Sequence, residues 1–184
     1  MKVLLLNAGA KDCGATQEIL LAMQAELPED SSFELLCLGN LNLGFCKGCK
    51  ACYGIGECVQ EDDVQRVLDA IDRAGRIVIA APSYWADIPG QFKVFIDRCT
   101  PYSNTSPNPK RRTLKSGKRC YAIALRTGTR PAECRHIIDT VEHWCGHMGL
   151  TFSGSMFFCG VEGKEDLAPY REQIRKTANE WFSM

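Results

Sequence analysis

Five short apolar runs alternate with amphipathic stretches along this chain, and that alternation restricts its fold more than any other feature. Lys2–Leu6, Phe33–Leu38, Arg76–Ala81, Lys118–Arg126 and Leu150–Phe158 each have an apolar centre, such as Ile77-Val78-Ile79, and each runs into turn residues. Between them lie helical patterns. Gly14-Ala15-Thr16 opens one, with Ile19, Leu20, Met23 and Leu27 on a stripe and Pro28 as its stop. Asp62 or Asp63 suits the cap of a second, which carries Val64, Val67, Leu68 and Ile71 and ends near Gly75. Gly90–Cys99, Pro131–Met148 and Asp166–Phe182 continue the series. Parallel strands need a crossover to return the chain to the same edge, so alternating strands and helices imply a parallel sheet covered on both faces.

Five strands in this sequence of elements favour a doubly wound, flavodoxin-like three-layer α/β/α sheet in the order 2-1-3-4-5, with residues 1–184 forming one domain. Ligands in such sheets bind beyond the carboxyl ends of the strands, at the switch point between strands 1 and 3. That rule selects the loops Asn7–Thr16, Pro82–Pro89 and Arg126–Arg130. A cysteine-bearing loop, residues 42–60, follows strand 2 and emerges on the same edge. Residues 100–117, with three prolines and several basic side chains, read as a long surface loop.

Lys+Arg and Asp+Glu both number 22, and this balance argues against a nucleic-acid or membrane-surface binder. No apolar run approaches the ~20 residues of a membrane helix. Val3–Leu6 is too short for a signal-peptide core, so a cytoplasmic location is expected. Eleven cysteines would suit a disulfide framework only in a small secreted domain, which this chain does not resemble. Cysteines such as Cys37, Cys120 and Cys159, set in apolar segments, read as small buried hydrophobes.

The first loop supplies small residues and a helix start. Gly9, Gly14 and Ala15 let backbone N–H groups face an anion, Lys11 adds a cation and Thr16 a hydroxyl, which suits a phosphomonoester such as that of FMN. Neither a Walker A sequence nor G-x-G-x-x-G is present. The second loop puts Tyr84 and Trp85 side by side at the end of strand 3, where an aromatic pair could flank a planar ring.

The segment Pro82-Ser83-Tyr84-Trp85-Ala86-Asp87-Ile88-Pro89-Gly90-Gln91-Phe92-Lys93-Val94-Phe95-Ile96-Asp97-Arg98 resembles the P-x-Y-W-x-x-x-P-x-Q-x-K-x-x-I-D-R stretch of NADPH-dependent FMN reductase-like flavoproteins. Asp62-Asp63 matches the paired acids of that family. The resemblance runs from the first strand to the fifth. It implies an FMN-dependent oxidoreductase that takes hydride from NAD(P)H and delivers electrons to a small acceptor. It also implies that Pro82, Ser83, Tyr84, Trp85 and Ala86 contact the isoalloxazine, that Arg126–Thr129, with Thr127 and Gly128 as cofactor-binding residues, close the far side, and that the chain forms a dimer or tetramer. A flavodoxin-like carrier serving a redox partner protein, and a thiol or metal sensor, are the competing functions. The first loop departs from the family's N-G-S-x-R-x-x-G-N-T: Gly9 replaces the serine, Lys11 the arginine and Ala15 the asparagine.

Cys46, Cys49, Cys52 and Cys58 form the densest chemical signal in the chain. Several thiolates at close spacing suit an iron–sulfur cluster or zinc better than a hard cation. Zinc motifs pair two C-x2-C units across a longer insert, and the bacterial ferredoxin run has a shorter last gap followed by proline; neither matches. The spacing resembles the iron–sulfur flavoprotein subset of the family, which implies a [4Fe–4S] cluster with these four ligands. Reduced thiols in the same loop remain the alternative. His136, His143 and His147 lie on an expected helix and read as solvated or packing residues.

Overall fold

The computed structural model describes residues 1–183. Its single sheet comprises β1 (Lys2–Asn7), β2 (Ser32–Cys37), β3 (Arg76–Pro82), β4 (Arg119–Arg126) and β5 (Thr151–Cys159). All neighbours are parallel and the order is β2-β1-β3-β4-β5, the one expected. In register, Leu35, Leu5, Val78 and Tyr121 lie side by side across four strands.

The two-residue period of the strands divides the core into two layers. Leu4, Leu6, Ile77, Ile79 and Ala122 face α3 (Val64–Arg73), α4 (Gly90–Arg98) and α5 (Pro131–Met148). Val3, Leu5, Val78, Ala80 and Ile123 face α1 (Ala15–Gln24) and α6 (Arg171–Ser183). Most of these side chains are fully buried, each worth about 1.5–3 kcal/mol relative to exposure. On the first layer Trp144 joins α5 to Phe92 and Phe95 of α4, with ring centroids 6.4 and 6.0 Å apart. On the second, Tyr121 stacks on Trp181 at 4.5 Å.

One expectation needs correction, and two loops carry more structure than the sequence conveys. The last helix starts at Arg171 rather than Asp166, because Pro169 lacks an N–H and its ring opposes a continuous α-helix; Lys164–Tyr170 forms a 3-10 segment instead. The 42–60 loop is not wholly irregular: Ala51–Ile55 forms a one-turn helix, α2, between left-handed residues at Lys50 and Gly56. The 100–117 segment lies at the surface but is tied down, since Pro101, Tyr102 and Asn108 are buried. Asn104 N–H donates to His147 O at 2.8 Å, and Asn108 Nδ2 to Gly54 O at 2.9 Å. The segment therefore straps the end of α5 to the cysteine loop. Among the described residues no helix is long and apolar enough to cross a membrane.

Candidate functional site

The carboxyl ends of β1, β3 and β4 bring the three selected loops together around one cavity of about 260 Å³. Gly9, Lys11, Gly14, Ala15 and Thr16 line it from the first loop, Pro82, Ser83 and Tyr84 from the second, and Arg126 and Thr127 from the third. Ala10, Cys13, Leu125, Val161 and Glu162 complete the wall.

The first loop is shaped by a buried side chain. Asn7 Oδ1 accepts from Gly9 N–H, while Asn7 Nδ2 donates to Lys11 O and Gln17 Oε1, all at 2.9 Å. Gly14 then enters α1 with φ +95°, a conformation that favours glycine, and no side chain caps the helix. The first-turn N–H groups are thus left for an anion, and the helix dipole favours one there. Lys11 is the cation at this end of the cavity.

The second loop is a two-residue hairpin. Tyr84 and Asp87 exchange backbone hydrogen bonds of 3.0 and 3.1 Å, and the central residues Trp85 and Ala86 have φ of +53° and +65°. Such turns favour Asn and Gly; an L side chain in this region costs roughly 1–2 kcal/mol. Two adjacent strained residues at a cavity rim are a mark of function. Trp85 projects fully into solvent and, like Ala86, forms the turn without lining the cavity.

Glu133, in the first turn of α5, ties the second loop to the third. Its Oε1 lies 2.6 Å from Arg126 Nη1, and its Oε2 accepts from Ser83 Oγ at 3.3 Å. Arg126 Nη1 also donates to Arg130 O, whereas Arg126 Nε is buried with no partner. Gly128 sits behind Thr127 and off the cavity wall; a Cβ there would overlap Arg126 Nη2. The glycine therefore sets where the guanidinium lies.

The cysteine loop lies apart from this cavity. Its ends are closed by a buried ion pair, Arg98 Nη1 to Asp62 Oδ2 at 2.5 Å, with the two side chains 1% and 6% exposed. Arg98 Nη1 also donates to Gly44 O at 2.7 Å, and Asp62 accepts from the N–H groups of Gly44 and Val64. Burial alone would raise the Asp62 pKa, but Arg98 and these two N–H groups hold it below the ordinary carboxylate range. Asp63 accepts from Asn42 N–H at 2.8 Å, so each of the paired acids anchors the loop. Arg98 also neighbours Cys58, and its Nε has no hydrogen-bond partner. Cys46 and Cys49 are exposed and Cys52 and Cys58 half-buried. Burial and the neighbouring cysteines push the Cys52 thiol up. Among the described residues no three His, Cys, Asp or Glu side chains are gathered as a metal site.

A sequence model of the NADPH-dependent FMN reductase family matches residues 1–158. The chain belongs to this family. An iron–sulfur flavoprotein from Archaeoglobus fulgidus is 30% identical over 171 residues, covering 91% of this chain and 74% of that relative. A second, from Clostridioides difficile, is 29% identical over 102 residues, or 53% of this chain and 45% of that protein. Among solved structures, an FMN-dependent NADH-azoreductase from Bacillus anthracis in complex with FMN superposes with a TM-score of 0.68 over 99% of this chain and all of that one, at 14% identity. That likeness bears on the fold alone. The family is one of oxidoreductases, and its doubly wound sheet is the one described above.

Measured against the family's first loop, this member has Gly9, Lys11 and Ala15 lining the cavity where serine, arginine and asparagine were expected. Glu133 escaped the sequence reading. Its one signal was an acidic residue in a helix's first turn, where it favours the dipole whatever else it does.

Proposed function

We propose that this chain is an FMN-dependent oxidoreductase that accepts hydride from NAD(P)H and passes the electrons to a small-molecule acceptor. The observation that carries this reading is the convergence of three switch-point loops on one cavity with a strained aromatic hairpin at its rim. The residues fit the cofactor at both ends: an uncapped helix start with Lys11 for the phosphate, and Pro82–Tyr84 with Thr127 for the ring. The azoreductase of the same fold holds FMN.

Bound FMN would supply the hydride chemistry, and the chain's own work is to bind and orient. The N–H groups at the start of α1 and the Lys11 ammonium neutralise the phosphate. Lys11 offers a point charge where arginine would give a planar fork, so it fixes the phosphate less rigidly. Tyr84, held at the rim by the Trp85-Ala86 turn, would shield one side of the ring from water. Arg126, positioned by Glu133, would offer hydrogen-bond donors to the flavin from the third loop. No side chain is assigned as a general acid or base.

For the second site we propose a [4Fe–4S] cluster held by Cys46, Cys49, Cys52 and Cys58. The soft donor set fits such a cluster, and the buried Arg98 guanidinium beside Cys58 would offset its anionic charge. The A. fulgidus relative is named an iron–sulfur flavoprotein. Binding requires the exposed Cys46 and Cys49 to turn inward, and a cluster there would supply single-electron chemistry. The working form is taken to be a homo-oligomer, since Trp85, Phe45, Ile55 and Val59 are large apolar side chains left exposed. The eleven free thiols suit a reducing compartment, the cytoplasm.

Anaerobic purification with assay of flavin, iron and acid-labile sulfide per chain tests both sites, and NADH or NADPH oxidation with quinone or azo acceptors tests the reaction. One FMN and four irons per chain are expected. Flavin without iron would remove the cluster, and absence of flavin would remove the enzyme reading.

A further inference from the structure

We propose that His143 and His147 form a surface site for a borderline divalent transition-metal ion of the zinc, nickel or copper type. The two residues lie one turn apart on α5, and their Nε2 atoms are 3.1 Å from each other with the rings 72° apart in plane. An ion bound at the usual 2.0–2.1 Å from both nitrogens would see them at about 98°, between the octahedral and tetrahedral angles. Imidazole pairs of this kind favour zinc, nickel and copper over magnesium or calcium.

A second observation concerns the tautomer. His147 Nδ1 lies 3.2 Å from Asn104 Oδ1 and 3.4 Å from Ser103 Oγ. An amide oxygen accepts only, so the Nδ1 proton points to Asn104 and the Nε2 lone pair of His147 is directed toward His143. Metal-bound imidazoles are characteristically oriented by such a hydrogen bond through the other nitrogen. Asn104 is itself fixed, through its N–H on His147 O at 2.8 Å and its Nδ2 on Gly146 O at 3.1 Å. Without an ion, His143 Nε2–H donates to His147 Nε2; on binding, His143 takes its Nδ1–H tautomer, its proton passing from Nε2 to Nδ1 through solvent, and both Nε2 lone pairs face the ion. Among the described residues no third His, Cys, Asp or Glu completes the set, so water fills the remaining positions.

Ni²⁺–nitrilotriacetate is the appropriate probe, because it keeps two adjacent open positions and cannot accept a four-thiolate ligand set. The untagged, FMN-loaded full chain should bind it at one per chain. His143→Ala or His147→Ala should weaken binding ~10-fold or more, and Asn104→Ala to a smaller extent. Serine at Cys46, Cys49, Cys52 and Cys58 should leave it unchanged. His143→Gln serves if the alanine variant melts early, since it retains a hydrogen-bond donor but should lose the ion. Binding that survives either histidine substitution, that disappears with the serines, or that is not seen in the wild-type chain overturns the proposal.

Discussion

At the scale of single residues, two acids hold the cavity and the cysteine loop in shape. Asp62 is ionised and buried against Arg98, and removing the charge from one member of a buried pair typically costs about 3–5 kcal/mol because the other is left uncompensated. Asp62→Asn should destabilise the chain by that order in urea unfolding at pH 7. The folded state holds the Asp62 pKa below its unfolded value, so the contribution is complete above the ordinary carboxylate range, near pH 3.9, and is lost as pH falls toward the folded pKa. The gap between wild type and Asp62→Asn should narrow on acidification through that window; a gap that widened would refute the linkage. Glu133 is the counterpart at the cavity. Glu133→Ala releases Arg126 and Ser83 together, and we expect a roughly tenfold loss of FMN affinity by equilibrium dialysis, equivalent to about one buried charged hydrogen bond. Gly128→Ala should act the same way by pushing the guanidinium off Glu133. Sequence reasoning located Asp62 because it is one of two adjacent acids at a helix start. It overlooked Glu133 because that side chain gains its meaning from loops 7 and 50 residues away in the chain, a separation that local pattern does not encode.

At the scale of elements, what the sequence could convey was periodicity, and what it could not convey was closure. Strand and helix positions follow from apolar spacing, so the sheet order and the helix faces were legible, Phe92 and Phe95 on α4 among them. Turn conformation was not: Trp85-Ala86 carries none of the Asn-Gly chemistry that announces a hairpin with positive φ, yet the chain makes one. The cavity rim imposes that turn against local preference. Ala86→Gly removes the Cβ penalty and should raise stability by about 1 kcal/mol in urea titrations. If the strained turn exists to present Tyr84 to the flavin, the same variant should bind FMN more weakly despite being more stable. Higher stability with unchanged or tighter FMN binding would show that the strain serves nothing at the site. The strap formed by residues 100–117 was likewise unreadable, because prolines and basic residues look alike in a free loop and in one whose Asn108 is buried against Gly54.

At the scale of the whole molecule, the sheet edge carries the cavity and the cysteine loop, with no residue in common. The cavity is walled by the loops after β1, β3 and β4, whereas the cysteine loop follows β2 and is closed by Asp62, Asp63 and Arg98. Neither core layer includes Cys46, Cys49, Cys52 or Cys58, and none of the four is fully buried. Replacing all four with serine therefore removes no core packing and leaves the closing ion pair in place. Surface substitutions of this kind usually shift stability by about 0.5 kcal/mol or less each. The quadruple variant, purified without oxygen, should contain no iron, retain one FMN per chain and still oxidise NAD(P)H. Its midpoint in urea should remain close to that of the iron-free wild type. Loss of flavin together with iron would mean that the two sites are one cooperative unit, with the cysteine loop reaching over the cavity in the loaded protein. Retention of flavin with loss of turnover would instead place the cysteine site on the electron path to the acceptor, with the flavin cavity assembled independently of it.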